Sequence, residues 1–107
     1  MKWYAVAEID VIDPSWVRDY VSEVTEIVQR RGGRYLARTS RVERVEGDRE
    51  PPQTFLIIEW PSKEAAESFY ESVEYQPYRQ RRIGGAKNQF FLVAGEDVTG
   101  AAEIGSS

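Results

Sequence analysis

Residues 34–60 read RYLARTSRVERVEGDREPPQTFLIIEW. From Arg34 to about Glu43 the side chains alternate, with Arg34, Leu36 and Arg38 on one face and Tyr35, Ala37 and Thr39 on the other. Gln53 to Trp60 is a second run rich in β-branched and aromatic residues. Between them, Glu46-Gly-Asp-Arg-Glu-Pro-Pro52 is polar and full of breakers, which predicts a loop. The stretch therefore predicts two antiparallel strands in one long hairpin. It decides the fold because a helix is expected on each side of it.

Upstream, Asp13-Pro14 is an N-cap followed by the residue best suited to a first helical position. Trp16, Val17, Tyr20, Val21, Val24, Ile27 and Val28 then form one apolar helical stripe. Arg30 and Arg31 suit the last turn, and Gly32-Gly33 supplies the stop. That Gly-Gly pair sits between arginines, but it follows a helix, whereas glycine-rich phosphate loops precede one. Downstream, Ser62 caps a helix whose stripe is Ala65, Ala66, Phe69, Tyr70 and Val73. A turn and short helix are expected from about Glu74 to Ile83, ended by Gly84-Gly85. Residues 2–12 and 89–94 read as the outer strands, the first with Ala5, Ala7, Ile9 and Val11 on one face and Tyr4, Val6, Glu8 and Asp10 on the other. The Arg41–Glu46 alternation reads as an exposed strand edge.

The order β-α-β-β-α-β is that of an α+β, ferredoxin-like domain: a four-stranded antiparallel sheet with helices on one face. One domain is expected over residues 1–95, with a flexible tail over 96–107. The uncovered face would carry Tyr4, Val6, Leu36, Phe55 and Ile57, leaving Leu56, Ile58 and Trp60 for the helices. A face that apolar calls for cover. Two copies packed sheet to sheet would close a dimeric α+β barrel, so a homodimer through this face is expected.

Composition narrows the chemistry. The 107 residues contain no cysteine and no histidine. Disulfides, thiolate nucleophiles, cysteine-based metal sites and the usual base near neutral pH are thereby excluded. No cofactor and no metal are expected. A net charge of −4 argues against nucleic-acid binding. No apolar run approaches the roughly 18 residues that cross a bilayer, and Glu8 and Asp10 interrupt any secretory signal. A cytoplasmic protein that does not engage membranes is expected.

Asp13-Pro14, Gly32-Gly33-Arg34-Tyr35-Leu36-Ala37-Arg38, Glu46-Gly47, Glu59-Trp60-Pro61-Ser62, Ala65-Ala66, Tyr70, Ser72, Tyr75-Gln76, Arg79, Arg82, Phe91-Leu92-Val93 and Gly95 occur in the order seen in one family. Across roughly residues 3–95 the chain resembles the uncharacterised DUF1330 family of the dimeric α+β barrel superfamily. The resemblance implies the fold and a dimer, and no particular reaction. The wider superfamily includes cofactor-independent monooxygenases, lactone isomerases and haem-binding enzymes. The haem branch generally relies on histidine, which this chain lacks.

Two constellations are candidates for chemistry. By strand parity Glu8, Asp10, Arg38 and Glu59 share the barrel face. There Glu59 or Glu8 could act as a base and Arg38 could hold a substrate oxygen. The alternative is an ion pair that sets strand register or the dimer. The second is YESVEYQPYRQRR, residues 70–82. Tyr75 could anchor the short helix or, with Tyr4, meet a ligand. Arg79 and Arg82, three apart on one helix face, could receive an anion at a pocket entrance or form salt bridges. The expected function is a cofactor-independent enzyme acting on a small oxygenated organic molecule. The alternatives are a non-catalytic ligand binder or a structural dimerisation module.

Overall fold

The computed structural model of the protein describes residues 1–105. Strand β1 (Trp3–Val11) leads through a 3-10 turn (Pro14–Trp16) into helix α1 (Val17–Arg30). Strands β2 (Arg34–Thr39) and β3 (Thr54–Trp60) form the central hairpin. Helices α2 (Lys63–Glu71) and α3 (Gln76–Gly85) then precede strand β4 (Ala86–Ala94). The sheet order is β2-β3-β1-β4, with β3 paired between β2 and β1, so the two halves interlock as a split βαβ pair. All three pairings are antiparallel. The α+β, ferredoxin-like architecture is the one expected.

The helix signals act where they were read. Asp13 Oδ1 accepts from the Ser15 amide at 3.0 Å. Ser62 Oγ accepts from the Ala65 amide at 3.0 Å. Helix α1 stops on Gly32, at φ +97°, a backbone shape that favours glycine. Gly85 meets a different demand: a Cβ there would collide with the Trp16 indole, whose Nε1 donates to Gly85 O at 3.2 Å. That contact ties the end of α3 to the start of α1.

Three boundaries differ from expectation. Strand β2 ends at Thr39, and Arg41–Glu46 lies in the hairpin loop, because β3 begins only at Thr54 and offers no partner beyond. Strand β4 begins three residues early, at Ala86, where Ala86, Lys87 and Asn88 pair with Val11, Asp10 and Ile9 despite their low strand propensity. Helix α3 begins later than expected and runs to Gly85, while Ser72 caps the end of α2, donating through Oγ to Phe69 O at 2.7 Å. Beyond β4, the Asp97 carboxylate accepts from the amides of Thr99 and Ala102 in a local turn. Residues 106 and 107 of the expected tail lie outside the described residues.

The core lies between the sheet and the helices, formed by Ala5, Ala7 and Ile9 of β1, Leu56, Ile58 and Trp60 of β3, and Trp16, Val24, Ile27, Val28 and Phe69 of the helical layer. The parity read for β1 and β3 is therefore correct. In β2 it is not, because the register with β3 shifts between Tyr35 and Ala37, so that Leu36 is an extra residue.

Candidate functional site

The inner face of β1, at the sheet's centre, carries alanine at two successive inward positions. Small side chains there leave space beneath the helices. A cavity of about 310 Å³ lies between the sheet and α1, with Tyr20, Tyr35, Arg38, Tyr75 and Phe90 in its lining. A smaller one of about 240 Å³ lies beside α2, lined among others by Ala5, Trp60, Tyr70, Glu71 and Phe90. The lining of the larger cavity holds no carboxylate among the described residues.

Three polar side chains converge at the larger cavity. Tyr20 sits on the inward stripe of α1. Tyr75 is the N-cap residue of α3, and Arg82 lies two turns further along α3, on the same face. The two phenol oxygens are 2.6 Å apart. Arg82 donates from Nε to the Tyr20 oxygen at 3.2 Å and from Nη2 to the Tyr75 oxygen at 3.3 Å. Arg82 is only 1% exposed and Tyr75 is fully buried. No carboxylate stands within salt-bridge distance of Arg82 among the described residues. Aromatic faces flank its guanidinium instead, Phe90 at 5.5 Å and Tyr20 at 5.9 Å.

A proton count gives this cluster its chemistry. Each phenol has one O–H to donate. Arg82 only donates, and both phenol oxygens accept from it. The Tyr20–Tyr75 contact consumes one O–H. The other remains free, on a phenol that lines the cavity. The free donor is polarised by a cation one hydrogen bond behind it.

Burial pushes the Tyr20 phenol well above its ordinary pKa of 10.0. The neighbouring Tyr75 adds to that, while Arg82 opposes it. The phenol is therefore neutral at physiological pH. Because the folded state favours the neutral form, its contribution to stability is complete below about pH 10 and is lost as pH rises through the folded pKa. Denaturation midpoints are expected to fall between about pH 9 and about pH 11, and to fall less in Tyr20→Phe. Equal falls in the two proteins would contradict the burial of an ionisable phenol at this position. Burial also raises Tyr35, against the pull of Thr25 and Arg38.

The candidate residues of the sequence divide between the two faces of the sheet. Arg38 pairs with Leu56 and so points toward the helices, because the Leu36 bulge reverses its parity. It does not face Glu59 across a barrel. Its guanidinium stacks over Tyr35 at 4.6 Å, donates to Thr25 Oγ1 at 2.8 Å, and lines the larger cavity. Glu59 lies on the uncovered face, 3.3 Å from Lys2 Nζ and 3.8 Å from Arg34. Glu8, on the same face, takes a 2.6 Å ion pair from Arg49 of the hairpin loop. Asp10 accepts from the Gln53 amide at 2.9 Å. Tyr4 is half-buried on that face, next to Glu59 in the β3 register.

Arg79 and Arg82 also separate. Arg82 is interior, so it is no entrance residue. Arg79 stacks over Tyr70 at 4.0 Å and lies 3.9 Å from Glu71, two residues that line the smaller cavity. Tyr20 was legible only as part of an apolar stripe. The available clue was its hydroxyl, since a tyrosine on a buried stripe needs a polar partner. Among the described residues no group of three acidic side chains gathers as a metal site. No helix among them is long and apolar enough to cross a membrane.

Several solved structures share this fold, and two serve for comparison. One is the RPA0582 protein of unknown function from Rhodopseudomonas palustris, 13% identical, with a TM-score of 0.72 over 86% of this chain and 80% of that one. The other is SnoaB, a cofactor-independent oxygenase from Streptomyces nogalater, 13% identical, with a TM-score of 0.62 over 91% of this chain and 95% of that one. No curated protein matches in sequence. The family model described as a domain of unknown function, DUF1330, matches residues 2–96, and the chain belongs to that family.

Proposed function

We propose that the larger cavity binds a small, mostly apolar organic molecule through one ionisable oxygen and stabilises its anionic form. The carrying observation is the Tyr20–Tyr75–Arg82 cluster, with a spare O–H backed by a buried guanidinium that has no carboxylate partner. A volume of about 310 Å³ lies at the lower end of the 300–1,000 Å³ usual for ligand pockets. The donor that this cluster presents on the cavity lining is a single phenol O–H, because Tyr20 and Tyr75 line the cavity while Arg82 stands behind them and is not among the lining residues. That geometry suits a phenolate or enolate oxygen better than a carboxylate, which calls for two parallel donors.

Stabilising an oxyanion in a water-poor site is the step from which cofactor-free chemistry on such a molecule starts. SnoaB offers an analogy of fold for that chemistry. Arg38, at the cavity wall, is proposed as a second polar contact for the ligand, and Arg79 as a rim residue of the neighbouring cavity. Glu59 and Glu8, on the far side of the sheet, are assigned to a different task. Together with the apolar residues between them they form the face on which a second copy packs. A cytoplasmic setting belongs to the same reading, supported by the lack of cysteine, which leaves the chain with no disulfide to gain from an oxidising compartment.

The test uses 2-naphthol, whose absorbance distinguishes the neutral from the ionised form. Its pKa when bound is expected to fall about one to three pH units below its value in water, the range for a charge held against an opposite one. Benzoate and 2-naphthoate are expected to bind more weakly than the phenol. A bound naphthol with an unchanged or raised pKa would overturn the reading.

A further inference from the structure

The two cavities share a wall. Ile58, Phe69 and Phe90 line both of them. Phe69 is locked in the core, stacked on Trp60 at 5.3 Å and close to Tyr75 at 4.3 Å. Phe90 differs. It is half-buried, lies on an edge strand, and stands opposite Ala7, whose small side chain leaves the space that the ring takes up. Its aromatic neighbour is Tyr70 at 5.6 Å, itself a residue of the smaller cavity.

We propose that Phe90 is the specificity-determining residue of a single interrupted slot, its ring closing the passage from the Tyr20–Tyr75 donor to the space beside α2. With Phe90 in place the ligand is limited to one or two fused rings. Without it the slot runs on between the sheet and α2 and accepts a linear molecule of three. The nature of the anchoring oxygen rests on the function proposed above, whereas the length limit rests on the shared wall alone.

The experiment separates the two. Wild type, Phe90→Ala, Phe90→Leu and Arg82→Met are titrated with naphthalene and anthracene, and with 2-naphthol and 2-hydroxyanthracene, following ligand fluorescence. In Phe90→Ala both three-ring probes are expected to tighten roughly 10- to 200-fold relative to the two-ring probe of the same kind, the scale of relieving a misfit in an apolar pocket. Phe90→Leu, which keeps an apolar side chain on the strand, shifts them the same way by less, and carries the test if the alanine variant does not fold. In Arg82→Met the hydroxylated probes weaken and the hydrocarbons do not. If the two-ring probes bind with the Arg82 dependence but neither Phe90 variant admits the third ring, the length limit is wrong and the oxyanion site stands. If the hydrocarbons obey the length rule while the hydroxylated probes ignore Arg82, the oxyanion site is wrong and the length limit stands. If no probe binds any of the proteins, both are overturned.

Discussion

Arg82→Met is expected to lose phenolate binding while the protein stays folded and becomes no less stable. Arginine remains charged in every protein environment, so Arg82 is a buried cation. Its donors meet two phenols, one of which, Tyr20, is held neutral by burial. Sequestering an ion from water costs several kcal/mol, and a hydrogen bond from a charged donor returns about 1.5–3 kcal/mol. The rings of Phe90 and Tyr20 add about 0.5–2 kcal/mol as cation–π partners. These terms are close to balance, so an apolar side chain of similar length removes a penalty about as large as the gain it forfeits. The Tyr20–Tyr75 bond survives the change, and each phenol keeps a partner.

Binding has no such compensation. An anion placed on the free O–H of Arg82→Met would have no cation behind it in an apolar cavity. Losing the charge that holds the bound pKa down by about one to three units costs about 1.4–4 kcal/mol, which corresponds to a loss of roughly 10- to 1,000-fold in affinity for the anion. Calorimetric titration with 2-naphthol measures that loss, and thermal unfolding followed by circular dichroism measures the stability. For a domain of this size 1 kcal/mol moves the Tm by about 4–8 °C, so the predicted near-balance is easily checked. Arg82→Lys is expected to fall between, because one compact ammonium cannot donate to both phenols in the fork geometry. An Arg82→Met protein that fails to fold would make Arg82 a structural keystone. One that folds and binds as well as wild type would remove the cation from the site. Either result defeats the oxyanion reading.

The sequence revealed the frame of this site more readily than its contents. Hairpin and helices were legible because Asp13-Pro14, Gly32-Gly33 and Ser62 mark boundaries through local backbone chemistry, which acts the same way in any surroundings. The face of β1 and β3 was legible from side-chain alternation. Arg38 escaped the same logic because a bulge at Leu36 left no mark in composition. Among the described residues no non-glycine residue takes a positive φ, so an ordinary leucine suffices there. Arg79, Arg81 and Arg82 look alike in sequence and end up stacked on Tyr70, on the surface and in the interior. What separates them is the phase of α3 against Tyr20, a residue some sixty positions away in the chain, and no local pattern encodes that distance. Tyr75 is expected as an anchor or a ligand contact, and its geometry fits the anchor: it stands at the N-cap position of α3, with its hydroxyl held by Tyr20 and Arg82.

Val6→Lys is expected to convert a dimer into a monomer. Val6 lies on β1 opposite Ile57 of β3 and Phe91 of β4, so the three make an apolar rung across the uncovered face. Leu36, Phe91 and Val93 on that face are 46%, 54% and 47% exposed in the single chain. The molecule is only 16 Å through its thinnest dimension, a single sheet with a single helical layer. That leaves half of the sheet's surface without a partner inside the chain. Charge is confined to the flanks of the rung, where Glu8 meets Arg49 and Glu59 meets Lys2 and Arg34. An apolar centre with a charged rim is the pattern of a protein interface. We propose a second copy as the occupant, because a two-fold contact sets each patch against its own copy. The same symmetry places the substituted lysine twice in one interface. Burying an unpaired ammonium in each copy is expected to raise the dimer dissociation constant at least about a thousand-fold, or ~4 kcal/mol. Light scattering at micromolar concentration is expected to give the dimer mass for wild type and for Val45→Lys, a change at a 96% exposed loop position, and the monomer mass for Val6→Lys. Wild type at the monomer mass, or Val6→Lys still at the dimer mass, would place the contact elsewhere. Exposure of the rung in the dissociated variant also predicts binding of a hydrophobic dye that the dimer excludes, with the circular dichroism of the fold retained, because Val6 contributes nothing to the core on the helical side of the sheet.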